Sequence, residues 1–188
     1  MPRGTYLHLA DEVEEHFQCA PGPGGWRYVS DLADVTVDSR WRQIRVQLRT
    51  PGWLIRGGLA GPDLQWVRCP AGGPVASEHT EPAAGFLGDS PGFLVAVARS
   101  LRLQPGEPAD VRLVRLTGPS LAALTITQRW RLSETTPYDT DLGPLHVERY
   151  LVTDLTTAET HEIHLAGDVV LAAPGIELTA LDTPPTLR

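Results

Sequence analysis

Between Trp41 and Arg49 apolar and polar side chains alternate, with Ile44, Val46 and Leu48 on one side and Gln43, Arg45, Gln47 and Arg49 on the other. A period of two residues is what a strand with one buried face requires. Similar alternation, or a short apolar run, predicts strands at Asp34–Asp38, Trp53–Arg56, Leu64–Cys69, Val111–Leu116, Leu124–Leu132, Leu145–Thr153, His161–Leu165, Val169–Ala172 and Ile176–Leu181. Turn signals separate most of them: Pro51-Gly52, Gly57-Gly58, Gly61-Pro62, Pro105-Gly106 and Pro174-Gly175.

Two segments depart from that period. Tyr6, Leu9, Ala10, Val13 and Phe17 recur at helical spacing and predict a short amphipathic helix, although TYLHL alone also reads as a strand. The run Pro21-Gly22-Pro23-Gly24-Gly25 then reads as a linker; it is no phosphate loop, because no Lys-Ser/Thr pair follows it. Ser90-Pro91 supplies a capping residue and a proline at the first helical position, followed by Phe93, Val97 and Leu101 on one helical face. Many short strands with sparse helices predict a mainly β domain, closed or half closed around its own apolar face.

Composition narrows the class. A chain of 188 residues with 41% hydrophobic and 21% charged residues is long enough to bury a core, and none of its apolar runs is long enough to cross a bilayer. All 16 basic residues are arginine, and the formal charge of -7 argues against a general nucleic-acid binder, which needs clustered cations. An anionic membrane surface would also repel it. Cys19 and Cys69 form no zinc pattern, and Met1–Gln18, interrupted by Asp11, Glu12, Glu14 and Glu15, does not read as a signal peptide. The expectation is a cytoplasmic protein with both thiols reduced.

Three constellations invite chemistry. Gly88-Asp89-Ser90-Pro91-Gly92 matches the G-x-S-x-G elbow of hydrolases, yet that mechanism uses the N–H after the serine as an oxyanion donor, and Pro91 has none. Losing one such donor typically costs about 3–4 kcal/mol of transition-state stabilisation, so Ser90 reads better as a helix cap. His161 and His164 fall on opposite faces of a strand and would need His146 to converge on a metal. Glu134, Asp139 and Asp141 fit no calcium-loop register with Glu148 and read as a solvated loop. The arginine pairs Arg45/Arg49 and Arg129/Arg131 read as wet strand faces.

The five tryptophans, Trp26, Trp41, Trp53, Trp66 and Trp130, against three phenylalanines, suit either a β core or the wall of an amphiphile pocket. In Leu124-Ile126-Gln128-Trp130-Leu132 a polar Gln128 interrupts an apolar row, so it must find partners inside or face a cavity.

Val37–Leu48 (VDSRWRQIRVQL), with Leu64–Cys69 (LQWVRC) after it, resembles the paired strands near the start of a bacterial glycolipid-binding family, which read roughly D-x-x-W-R-x-x-x-V and then G-x-W. Ser90–Leu116 is similar to that family's Ser/Thr-Pro, Arg-x-Leu and Gly-Glu turn. Gln128–Trp130 is similar to its Gln-x-aromatic, and Gly167–Leu178 to its C-terminal strand pair joined by Pro-Gly. Order and spacing agree over about residues 28–181. The family's polar T-N-T-L-P-I-R stretch is replaced here by Phe93–Arg99, so no role of those polar residues carries over.

The resemblance implies an all-β, mainly antiparallel curled sheet, a half-barrel β-roll like that of bacterial lipoprotein carriers, with one or two short helices. The expected organisation is one domain over residues 1–188: a helical extension and Gly/Pro linker at 1–25, and the half-barrel at 26–188. The expected function is non-enzymatic binding of a lipid, glycolipid or similar amphiphile on a concave apolar face, with no cofactor or metal. Expected lining residues are Trp41, Ile44, Val46, Leu48, Trp66, Leu124, Ile126, Gln128 and Trp130, or the opposite faces of the same strands if the parity is reversed. Sealing a sixteen-carbon chain there would provide on the order of 12 kcal/mol before association costs. A hydrolase using Ser90, and a module whose groove is filled by its own side chains or by a partner's helix, are the alternatives.

Overall fold

The computed structural model describes residues 1–73, 75–141 and 143–186. The strands are β1 (Arg3–His8), β2 (Val13–Gly22), β3 (Gly25–Ser30), β4 (Ala33–Asp38), β5 (Gln43–Arg49), β6 (Trp53–Ala60), β7 (Asp63–Pro70) and β8 (Ser77–Glu81). After β9 (Gly85–Leu87) comes the helix α1 (Pro91–Leu101), then β10 (Pro108–Thr117), β11 (Ala122–Thr140), β12 (Gly143–Asp154), β13 (Thr160–Ala166), β14 (Val169–Ala173) and β15 (Ile176–Thr183). They form one curled, unclosed sheet in the order β8-β7-β6-β5-β4-β3-β2-β1-β15-β14-β13-β12-β11-β10-β9. Every neighbouring pair is antiparallel except β9 with β10. This is the all-β half-barrel that the alternation and the resemblance implied.

Three expectations are corrected. The predicted N-terminal helix is the hairpin β1–β2, whose inward residues are Gly4 and Tyr6, then Glu15, Phe17 and Cys19. An acid stands in the inward row, and Leu9 and Val13 lie outside, so the two-residue period is disguised. The Pro/Gly run is not a linker but the β2–β3 turn, where Gly22 pairs Gly25. At Gly25 φ is +145°, and a Cβ there would lie 2.0 Å from the Val37 carbonyl oxygen, so only glycine fits. The acidic loop around Asp139 is the tip of the long β11–β12 hairpin, in which Glu134 pairs with Arg149 at 3.1 Å.

The helix lies where the sequence placed it, on the concave side. Pro91, Gly92, Phe93, Val95, Ala96, Val97 and Ala98 are buried, and the helix packs against β4, β9 and β14. Gly92 lets it approach β3: a Cβ would come 2.5 Å from the Tyr28 ring. Much of the hollow is therefore occupied by the protein's own helix.

The β9 end of the sheet meets the β5–β8 side of the roll through side chains instead of a ladder. Gln43 Nε2 donates to the Phe86 carbonyl at 2.9 Å, and Phe86 N–H donates to Gln43 Oε1 at 2.8 Å, so one buried amide stands in for a strand along β9. Arg112 reaches Glu81 at 3.3 Å, and Arg68 donates to the Ser120 carbonyl at 2.7 Å. Replacing Gln43 by Ala leaves two buried backbone groups without partners, each costing about 1–3 kcal/mol. Gln43→Ala is expected to lower stability by about 2–4 kcal/mol in urea unfolding, whereas Gln65→Ala, on the wet side of β7, should change it by less than about 0.5 kcal/mol.

Candidate functional site

At the C-terminal end of α1 the hollow stays open as a cavity of about 260 Å³. Its walls come from the start of β3 (Trp26), the turn before β5 (Trp41), the end of α1 (Arg99, Arg102), β12 (Glu148, Tyr150) and the turn before β14 (Gly167, Asp168). Trp26 and Trp41 pack with ring centroids 5.5 Å apart, at the end of a row of touching rings that runs Tyr6, Phe17, Tyr28, Trp26.

The turn that presents Trp41 is built by Asp38. Its Oδ1 accepts from the backbone N–H of Arg40 at 2.9 Å and of Arg42 at 3.0 Å, and its Oδ2 accepts from Arg42 Nε at 2.7 Å. Burial alone would raise the Asp38 pKa, but these bonds outweigh it and leave the carboxyl below its usual range. Held this way, Trp41 has φ +64°, which a bulky aromatic rarely adopts. The Asp-x-x-Trp-Arg pattern is thus a clamp that strains one indole toward the cavity.

The opposite wall is tied down separately. The Asp168 carboxylate accepts from Trp26 Nε1 at 3.1 Å and from the Thr186 N–H at 2.8 Å, which fixes the indole and brings the C-terminal tail to the rim. Arg99 donates to the Gly167 carbonyl at 3.1 Å and pairs with Glu148 at 2.6 Å. Burial first, then Glu148, pushes the Tyr150 hydroxyl up to about 12, so it is neutral and can donate. Arg102 follows the helix with φ +51° and is exposed.

At the other end of α1 lies a carboxylate cut off from water. Glu15 is 0% exposed and accepts from His8 Nε2 at 2.7 Å, from Tyr28 OH at 2.9 Å and from Ser90 Oγ. Burial raises its pKa, and the hydrogen bonds, His8's first, more than reverse this; bonding to Glu15 in turn holds the His8 pKa above its usual value. Ser90, expected as a helix cap, makes no capping bond, because its hydroxyl goes to Glu15. That serine is 1% exposed and hydrogen-bonded to a carboxylate, not to an imidazole.

Of the expected lining residues, only Trp41 reaches this cavity. Trp66 lines a separate cleft of about 340 Å³ where the ends of the sheet face each other, against Arg68, His79 and Thr125. Val46, Leu48, Ile126, Gln128 and Trp130 are buried in the core, where Gln128 finds its partner by accepting from Trp130 Nε1 at 3.1 Å. Ile44 points outward and Leu124 lies at the end of its row; they are 48% and 61% exposed. Thr36 faces Arg45 while Val37 faces Gln43, so a β-bulge at Ile44 shifts the parity and turns Gln43 inward. Leu124 keeps the parity of its row but lies beyond the packed interior. His161 and His164 stand on β13, and among the described residues no three His, Cys, Asp or Glu side chains group as metal ligands.

No family model and no curated protein matches this chain. Among solved structures the fold is similar to that of a DUF1089 family protein from Pseudomonas aeruginosa. The two chains are 16% identical, with a TM-score of 0.51, over 86% of this chain and 83% of that one. That likeness extends to the fold. No helix among the described residues is long and apolar enough to cross a membrane.

The His8–Glu15 pair ties stability to pH. Glu15, with its folded pKa lowered, contributes stability that is present above about pH 4.5 and lost as the pH falls through the folded value. His8, with its folded pKa raised, contributes stability that is full below about pH 6.5 and lost as the pH rises through the folded value. Thermal unfolding across pH 4–9 should show both terms intact between those limits, and His8→Gln should remove the part of the alkaline decline that His8 supplies. An unchanged alkaline slope in His8→Gln would contradict this.

Proposed function

We propose that this protein binds, without transforming it, a small amphiphile of the lipid or glycolipid class, with its head in the cavity at the C-terminal end of α1. The observation that carries this reading is that Trp41 at φ +64° and Arg102 at φ +51°, two of the five non-glycine residues at positive φ among the described residues, line one cavity. Each such conformation costs on the order of 1–3 kcal/mol, and such strain concentrates where a ligand is held. Apolar indole faces beside polar Tyr150, Asp168 and Arg99 match a molecule with both characters.

The size of the cavity refines what enters. Ligand pockets usually span about 300–1,000 Å³, and about 260 Å³ suits a headgroup with its first carbons, not a sixteen-carbon chain enclosed whole. The rest of the hollow is taken by α1, so the tail would lie along the mouth. A binder is favoured over a hydrolase because Ser90 is sealed off, donates to Glu15 and precedes Pro91. The resemblance of Asp38-Ser39-Arg40-Trp41-Arg42 to a glycolipid-binding family supports the same class.

Delipidated protein titrated with dodecyl maltoside below its micelle concentration should show saturable tryptophan quenching. Trp41→Ala should weaken that binding about tenfold, the worth of one well-packed aromatic contact, while Trp66→Ala should leave it within about twofold. Absence of saturation with this probe and with a fluorescent fatty acid, together with no lipid in native mass spectra of the purified protein, would refute the proposal.

A further inference from the structure

We infer that the head of this ligand carries an anionic group, a phosphate, sulfate or carboxylate, and that Arg102 is the residue that recognises it. The inference rests on the binding reading above and adds the charge of the ligand. Of the four charged side chains on the cavity wall, three are already spent. Arg99 is held by Glu148 and by the Gly167 carbonyl, and both oxygens of Asp168 are taken by N–H donors. Arg102 makes no ion pair and no hydrogen bond among the described residues, and it is exposed at the rim.

Its backbone sharpens the point. The residue that ends a helix in the left-handed conformation is usually glycine, which takes it without strain, or asparagine. A cation that merely complements the helix C-terminus is already supplied by Arg99 in the last turn. The chain nevertheless keeps a long guanidinium at φ +51°, on the wall of the same cavity as the indole that Asp38 holds at φ +64°. A planar donor fork that shares a cavity with an aromatic face suits an anionic oxygen group with an apolar stem. The acidic surface of the protein, at a formal charge of -7, makes the local cation the more necessary for such a head.

Four probes decide it, read by tryptophan quenching below the micelle concentration: dodecyl phosphate, dodecyl maltoside, dodecyltrimethylammonium and inorganic phosphate. For the unmodified protein dodecyl phosphate should bind about tenfold tighter than dodecyl maltoside, the increment of one charge-assisted contact, and dodecyltrimethylammonium should bind weakest. Arg102→Gly and Arg102→Gln should both erase the preference for phosphate over maltoside. Arg102→Gly relieves the backbone and should leave the unfolding temperature equal or higher, which separates recognition from folding. Equal binding of phosphate and maltoside, or a preference that survives in Arg102→Gly, overturns the inference while the binding reading stands. If no amphiphile saturates, the binding reading itself fails and takes the inference with it. If inorganic phosphate binds as tightly as dodecyl phosphate, the anion is a free solute: Arg102 keeps its assignment and the amphiphile is refuted.

Discussion

The arrangement turns on a carboxylate with no access to water. An unpaired buried charge costs several kcal/mol, so Glu15 persists inside the sheet only because donors converge on it. They come from three places: His8 on β1, Tyr28 on β3 and Ser90 at the start of α1. The positive end of the helix dipole favours an anion in the same position. Satisfying Glu15 therefore fixes the helix against the N-terminal strands. With Gly92 seated on the Tyr28 ring, the axis of α1 is set, and its far end, with Arg99 and Arg102, is placed against Trp26 and Trp41. The cavity is where the helix ends before the curl of the sheet does.

The same principle governs the edges of the sheet. A barrel removes its edges by closing the ladder, whereas this sheet ends in two short strands, β8 and β9. The free side of β9 is met by the amide of Gln43, whose donor and acceptor reproduce what a strand would offer at Phe86. Because side-chain bonds do not impose a continuous register, the roll can stop short of closure and leave the cleft at Trp66. A β-bulge at Ile44 is what turns Gln43 inward, and Gly58, where a Cβ would meet the Ile44 carbonyl at 2.3 Å, leaves room for it.

The strands β4–β7 and β10–β15 were legible in the sequence because they alternate or form short apolar runs, and α1 because Ser90-Pro91 and the 93/97/101 spacing agree; β3, β8 and β9 were not legible as strands. The N-terminal hairpin was not, since reading it as strands requires placing Glu15 inside, and only the three-dimensional convergence of His8, Tyr28 and Ser90 makes that affordable. Ile44 misled for a different reason: a bulge changes parity without changing composition. The cavity was half legible. Asp-x-x-Trp-Arg marked Trp41, but not that Asp38 would clamp it by its backbone. Arg102 carried no signal, because a helix end with φ above zero is ordinarily announced by glycine. Trp26, Tyr150 and Asp168 belong to three separate elements that only the curl of the sheet brings together.

The departures from local preference divide by their consequence. Glu15 breaks the rule that charges stay outside, but all of its partners are internal and the result is a fixed helix. Trp41 and Arg102 break the rule on backbone geometry at the edge of the interior: Trp41, held by the Asp38 turn and packed on Trp26, is only partly buried, and Arg102 is exposed. Strain that holds a core together has its compensation inside the core. Strain at the rim of a cavity holds no part of the core in place, and on the binding reading proposed above it serves to present Trp41 and the unpaired Arg102 to a ligand. That asymmetry, more than the volume of the hollow, is what favours the proposed binding role over a roll that merely packs its own helix.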